Sequence, residues 1–174
     1  MLSEAMSQFA GTQTRGVPLW ERFRRAGAGP NAILRAFEIV TPPVPIERIA
    51  HGLQIEVKED AVLDVAGTLF LLDDVPVVTI RASDARVRQR FTLAHEIGHL
   101  MLHERGQHFR DKNFLSGDPR EIEANRYAAE LLMPSWMIEP AASKYRADSG
   151  ILARLFDVSE QAMNIRLQMI AGFR

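Results

Sequence analysis

The stretch Arg90-Phe91-Thr92-Leu93-Ala94-His95-Glu96-Ile97-Gly98-His99-Leu100 decides how the rest of the chain is read, because it sets an H-E-x-x-H pattern on a segment that is otherwise apolar. At about 100° per residue, His99 falls roughly 40° around from His95 and one turn along, so both imidazoles can reach one ion. Glu96 sits near the edge of the same arc, able to face a water on that ion without ligating it. Val87, Phe91, Ala94, Gly98, Met101 and Leu102 form one apolar face, and Leu93, Ile97 and Leu100 form another. Only Thr92, His95, Glu96, His99 and His103 make a polar stripe. Burying such a stripe unsatisfied costs on the order of 1–3 kcal/mol per group, and a metal-lined cleft removes that cost. The competing reading, core histidines in a chance match, is disfavoured by this placement on a long apolar helix.

With no cysteine in the chain, any metal must be held by histidine and carboxylate. His103 lies roughly 12 Å along the helix from His95, too far to share an ion, and is read as a supporting residue or part of the cleft rim. His51 and His108 are read as ordinary helix-end and loop residues. Catalytic zinc usually takes three protein ligands and a water, so one ligand is missing. Asp118-Pro119 opens a further helix that Pro134 stops, and within it Glu121 and Glu123 lie about 200° apart. Glu121 shares its side with Asn125, Ala128 and Leu132, whereas Glu123 shares the other with Arg126 and Glu130, a pattern expected of a solvated face. Glu121 is therefore the expected third ligand. The competing reading has it close a capping box on the Asp118 amide. Asn125 is placed to accept a hydrogen bond from the far nitrogen of a ligand histidine and fix its tautomer.

The chain has 174 residues, 47% hydrophobic and 25% charged, which excludes a disordered or low-complexity protein and favours one core. Asp64, Asp73 and Asp74 interrupt the most hydrophobic region, so no span of a bilayer is expected. The opening Met1-Leu2-Ser3-Glu4 lacks the basic end and apolar run of a secretory signal, and a cytoplasmic location is expected. A net charge of −1 is too balanced for nucleic-acid binding through bulk charge.

Residues 1–30, rich in Gly, Ser, Thr and Gln, are read as a loosely ordered leader with one amphipathic piece, residues 18–26, that groups Leu19, Trp20 and Phe23. Asn31 is the expected cap of a helix carrying Ile33, Leu34 and Phe37, which Thr41-Pro42-Pro43-Val44-Pro45 ends. Pro45 opens a short helix that Gly52 closes. Residues 54–58 alternate as a strand, and 67–72 and 75–80 form a hairpin about Asp73-Asp74. Ser83 or Asp84 is expected to cap the long helix, which runs to about His103 with Gly106 just beyond. Residues 135–174 read as helical, ending in two short helices joined at a turn. The class is α+β, a small sheet packed on a buried H-E-x-x-H helix.

Two stretches, Arg88-Gln89-Arg90-Phe91-Thr92-Leu93-Ala94-His95-Glu96-Ile97-Gly98-His99 and Glu121-Ile122-Glu123-Ala124-Asn125-Arg126-Tyr127-Ala128-Ala129-Glu130-Leu131-Leu132-Met133-Pro134, together resemble the ImmA/IrrE family of bacterial metallo-endopeptidases. The likeness extends over roughly residues 30–170 when the hairpin and the C-terminal helices are included. It implies a small zincin-like α+β fold, zinc on two histidines and a glutamate, and cleavage of a helix-turn-helix repressor on mobile-element or stress-response promoters. Carried over residue by residue, the ligands are His95, His99 and Glu121 and the base is Glu96, in agreement with the helix reading. The chain departs from the family at Tyr127, where Phe is commoner, and in a leader too short for the DNA-binding domain that some relatives carry in front. The expected division is a 1–30 leader, a 31–140 zincin-like metallopeptidase core, and 141–174 helix-turn-helix-like helices packed on it.

The expected activity is that of a zinc-dependent endopeptidase, in which the ion acidifies a water and polarises the scissile carbonyl. Glu96 passes the water's proton to the leaving amine. Tyr127, His103 and His108 all remain candidates for the oxyanion donor. The alternative is a transcriptional regulator or antitoxin-like binding module with a structural or absent metal, suggested by the helix-turn-helix look of residues 150–171. Residues 144–174 carry five basic against three acidic side chains, thin cover for phosphates, so direct nucleic-acid binding is not expected. The expected partner is a protein substrate. A third possibility is a partner-binding protein whose peptidase activity stays latent until a signal arrives.

Overall fold

In the computed structural model, which describes residues 16–103, 109–111 and 118–172, the order of elements is that of an α+β chain. Three short helices come first: α1 (Leu19–Arg25), α2 (Pro30–Ala36) and α3 (Ile46–Gly52). Strands β1 (Glu56–Asp60), β2 (Gly67–Leu72) and β3 (Val75–Arg81) follow, then the long helix α4 (Arg86–Leu102) and strand β4 (Phe109–Asp111). The chain continues through α5 (Pro119–Leu132), α6 (Ser135–Lys144), α7 (Ser149–Phe156) and α8 (Glu160–Ala171).

The expected hairpin forms because Asp73 and Asp74 both adopt positive φ, 49° and 64°, the left-handed pair that matches a two-residue turn to the twist of its strands. β2 and β3 pair antiparallel, with Gly67 opposite Ile80 and Leu72 opposite Val75. β1 joins the far side of β3 in parallel, Glu56 opposite Val77, and β4 joins β2 antiparallel, Gly67 opposite Asp111. The order is β1-β3-β2-β4. The inner strand β3 buries Val77, Val78 and Ile80, whereas β1, at the edge, is exposed along most of its length. β4 is additional to the sequence reading; three residues are too few to show a period.

Helix α4 packs against β2 and β3 on one side and along α5 on the other. Its buried Leu93, Ala94, Ile97, Leu100 and Met101 join Ile33, Ile46, Ile49, Leu131, Leu132 and Phe156 in one core. Its N-cap is Ala85, without a side-chain cap, rather than Ser83 or Asp84. The Asp84 carboxylate instead accepts from Arg88 Nε at 3.1 Å. Gly29 rather than Asn31 precedes α2, because Pro30 takes its first turn, and Asn31 Oδ1 accepts from Trp136 Nε1 at 2.8 Å.

The amphipathic piece expected at residues 18–26 forms α1, and it is held against the core rather than loosely. Trp20 and Phe23 are 0% exposed and belong to the core, and Arg24 Nη2 donates to His103 O at 2.8 Å. Two large apolar side chains three residues apart contribute roughly 1.5–3 kcal/mol each when buried, enough to hold a short helix in place. Residues 1–15 of the expected leader lie outside the described residues.

The C-terminal segment is helical as expected, with α7 and α8 turning at Asp157, a left-handed residue with φ 53°. Val158 N closes that turn on Ala153 O at 3.0 Å, and Asp148 and Ser159 cap the two helices through their side chains. Arg90, 3% exposed, locks this turn to the core: Nε donates to Asp157 O at 3.0 Å and Nη2 to Val44 O at 2.8 Å. Arg166 ties α8 to α5, donating to Met133 O at 2.9 Å and pairing with Glu130. Among the described residues no helix is long and apolar enough to cross a membrane.

Candidate metal centre

A glycine sets the distance between the two helices that make the site. A Cβ on Gly98 would stand 3.1 Å from Ala124 O, and 3.2 Å from both Ala124 Cα and Tyr127 Cβ, so α4 and α5 meet where a side chain crowds backbone. Glycine inside a helix costs about 1 kcal/mol relative to alanine, and here it permits that close approach. The first turn of α5 is thereby brought beside His95 and His99.

His95 Nε2 and His99 Nε2 stand 2.9 Å apart. Glu121 Oε2 lies 3.1 Å from His95 Nε2 and 3.4 Å from His99 Nε2. The three side chains are buried and offer one ligand atom each, all within 4.8 Å of one another. Two ligands each about 2.0–2.1 Å from one tetrahedral ion are roughly 3.4 Å apart, so the observed triangle is close to the size such an ion requires. The alternative capping role is not what forms, since Asp118 caps α5 by accepting from Arg120 N at 2.9 Å while the Glu121 carboxylate faces the imidazoles.

The far side of each imidazole is also engaged. His95 Nδ1 donates to Asn125 Oδ1 at 3.0 Å, which leaves its Nε2 as a lone pair aimed into the triangle. His99 Nδ1 lies 2.9 Å from His103 Nδ1. The His95 Nε2 lone pair and the Glu121 carboxylate are acceptors that a cation would bring into balance. Burial, reinforced by the neighbouring His95, pushes the His99 pKa down to about 4, so this ring is neutral at pH 7. His95, His99 and Glu121 form a His-His-Glu group that can hold a divalent metal.

Glu96 is 1% exposed and lies under the start of β2. A Cβ on Gly67 would stand 2.4 Å from Thr92 Cγ2 and 2.9 Å from Glu96 Oε1, so the strand passes directly over this part of α4. Of the three oxyanion candidates, Tyr127 is turned away: its hydroxyl donates to Ala28 O at 3.1 Å and burial raises its pKa. His103 faces His99, and its Nε2 stands 3.3 Å from Glu123 Oε2, so Glu123 contacts the site's flank instead of solvent alone. His108 lies outside the described residues. The sequence reading missed Gly98, Gly67 and Arg90 as residues that build the site. A glycine inside a helix and another opening a strand are the signals that mark close approach.

The model of the Peptidase_M78 family, described as the IrrE N-terminal-like domain, matches residues 50–168. The uncharacterized immunity region protein 2 of Bacillus phage phi105 is 33% identical over 63 residues, which is 35% of this chain and 40% of that protein. A solved structure of a Mycobacterium tuberculosis transcriptional regulator is similar with a TM-score of 0.53 and 19% identity, covering 83% of this chain and 48% of that one. At that identity the likeness concerns the fold alone. The chain spans less than half the length of either relative. The family match takes in both stretches that carried the ImmA/IrrE resemblance, and the chain belongs to the IrrE N-terminal-like Peptidase_M78 family.

Proposed function

We propose that the chain is a zinc-dependent endopeptidase with a zincin-like core and that it cuts a helix-turn-helix transcriptional repressor in the cytoplasm. The observation that carries this reading is the buried triangle of His95 Nε2, His99 Nε2 and a Glu121 oxygen. Zinc suits two imidazoles and a carboxylate in the absence of any thiolate, and when bound it supplies Lewis acidity toward a water and a carbonyl oxygen. A zincin-like core is supported by the long histidine helix packed on a small sheet, with the third side chain supplied by the next helix.

The remaining chemistry belongs to the protein. Glu96, buried on the same helix as both histidines, takes a proton from the attacking water and delivers it to the leaving amine. Asn125 holds His95 in the tautomer that presents Nε2. The likeness to a phage immunity-region protein supports a repressor as substrate. The C-terminal helices, pinned to the core by Arg90 and Arg166, support a role in shaping the cleft's rear wall or gripping substrate.

Glu96→Gln tests the reading, assayed on a helix-turn-helix repressor that the wild-type protein cleaves. The variant is expected to keep its metal and its fold while cleavage falls at least about 100-fold, the usual worth of a positioned base. Undiminished proteolysis would remove Glu96 from the mechanism.

A further inference from the structure

We infer that Glu123 and His103 form a proton-ordered chain that commits His99 to presenting its Nε2 to the metal; the inference rests on the metal reading above and deepens it. The geometry is a continuous line. His99 Nδ1 is 2.9 Å from His103 Nδ1, and His103 Nε2 is 3.3 Å from Glu123 Oε2. Two ring nitrogens at that distance can share only one proton between them, since two N–H groups or two lone pairs facing each other repel.

The polarity of that shared bond decides whether His99 can ligate. If His103 Nδ1 donated, the His99 proton would have to sit on Nε2, pointing at His95 Nε2 only 2.9 Å away and blocking the metal position. If His99 Nδ1 donates, its Nε2 is a lone pair and His103 must carry its own proton on Nε2. An ionised carboxylate only accepts hydrogen bonds, so Glu123 favours the second arrangement. The chain then reads Nε2 of His99 free for metal, Nδ1–H of His99 to Nδ1 of His103, and Nε2–H of His103 to Glu123.

Two features hold the His103 ring for this purpose. Its residue ends α4 in an extended conformation, φ −111° and ψ 158°, with its amide bonded to His99 O at 3.0 Å and its carbonyl accepting from Arg24 of α1 at 2.8 Å. Its side chain is 8% exposed, shielded from water that would otherwise compete for the shared proton. α5 therefore supplies a candidate ligand, Glu121, and the acceptors that set both imidazoles. Asn125 acts on His95 directly, and Glu123 acts on His99 through His103. His103 and Glu123 are positioning residues, since neither touches the metal position.

The test uses the full chain, with zinc affinity measured by chelator competition and imidazole protonation read by long-range ¹H–¹⁵N correlation spectra. In the zinc-loaded wild-type protein, where the ion offsets the facing Nε2 lone pairs of His95 and His99, His103 is expected as the Nε2–H tautomer and His99 as Nδ1–H. His103→Phe is expected to weaken zinc binding about 10–100-fold, the usual effect of losing an outer partner of a ligand histidine. His103→Gln, whose side-chain oxygen can accept from His99 Nδ1–H, is expected to recover most of that loss. Glu123→Gln keeps an acceptor and is expected to weaken zinc less than Glu123→Leu, which should also shift His103 toward the Nδ1–H form. A zinc-loaded wild-type protein with His103 as Nδ1–H, or His103→Phe binding zinc as tightly as wild type, would overturn the inference and leave the metal reading standing. A folded wild-type protein that takes up no zinc would overturn both.

Discussion

Gly98→Ala perturbs the close approach of the two site-forming helices. The added methyl would meet Ala124 O at 3.1 Å and Ala124 Cα and Tyr127 Cβ at 3.2 Å, whereas carbon contacts are comfortable at about 3.5–4.0 Å. Two of the obstructing atoms are backbone and the third is a Cβ in a helix, so no rotamer change relieves the crowding. The helices must part by roughly 0.3–0.5 Å, and Glu121 and Asn125 travel with α5. That displacement shifts Glu121 and Asn125 together relative to the two histidines, so zinc affinity should fall on the order of tenfold, about 1.4 kcal/mol. Stability should respond differently. Alanine gains about 1 kcal/mol of helix propensity at this position, while overpacking costs typically 1–3 kcal/mol, leaving the metal-free protein nearly unchanged or slightly weaker. The assay pairs urea unfolding of the metal-free protein with chelator competition for zinc. A variant that gains the full 1 kcal/mol of helix propensity and binds zinc like wild type would refute the claim that helix approach at Gly98 sets the site.

Two further perturbations act on other parts of the account. Arg90→Met keeps much of the volume but removes the donor to the Asp157 carbonyl and leaves Val44 O with the Ile46 amide alone, and should destabilise the chain by about 1–3 kcal/mol in urea unfolding; a change below about 0.5 kcal/mol would show that the guanidinium is dispensable. Because the unfolded His99 imidazole takes a proton below its ordinary value of 6.5 while the folded one does so only near 4, acidification favours the unfolded state across that window. The metal-free protein should therefore lose up to about 3 kcal/mol between pH 6.5 and pH 4 at this residue, and stability that is flat over the range would contradict the burial argument.

The candidate site was legible in the sequence because it rests on helical periodicity. The spacing of His95 and His99 fixes their common face, and the wheel separated Glu121 from Glu123 without any knowledge of the sheet. What periodicity does not carry was missed. Periodicity grouped Trp20 and Phe23 on one side of a short helix, but that this helix belongs to the core was hidden by the surrounding Gly, Ser, Thr and Gln, whose composition is that of a leader. Glu123 follows the solvated face of α5 yet reaches His103, since the end of another helix lies there and a wheel describes one helix at a time. Asp84 is a good N-cap by type but its carboxylate is occupied by Arg88, a competition that only three dimensions disclose. Arg90 carries no role of its own in the helical pattern, and shows one only when the αL turn at Asp157 and the Val44 carbonyl are brought against it.

The central claim is that His95, His99 and Glu121 grip one divalent ion, and metal analysis of the purified, zinc-grown protein tests it most directly. The account predicts one zinc per chain, removed by chelators and missing from His95→Ala and Glu121→Ala variants that still fold. Folded protein that emerges without metal, and whose unfolding midpoint is the same with added zinc as with chelator, would contradict it.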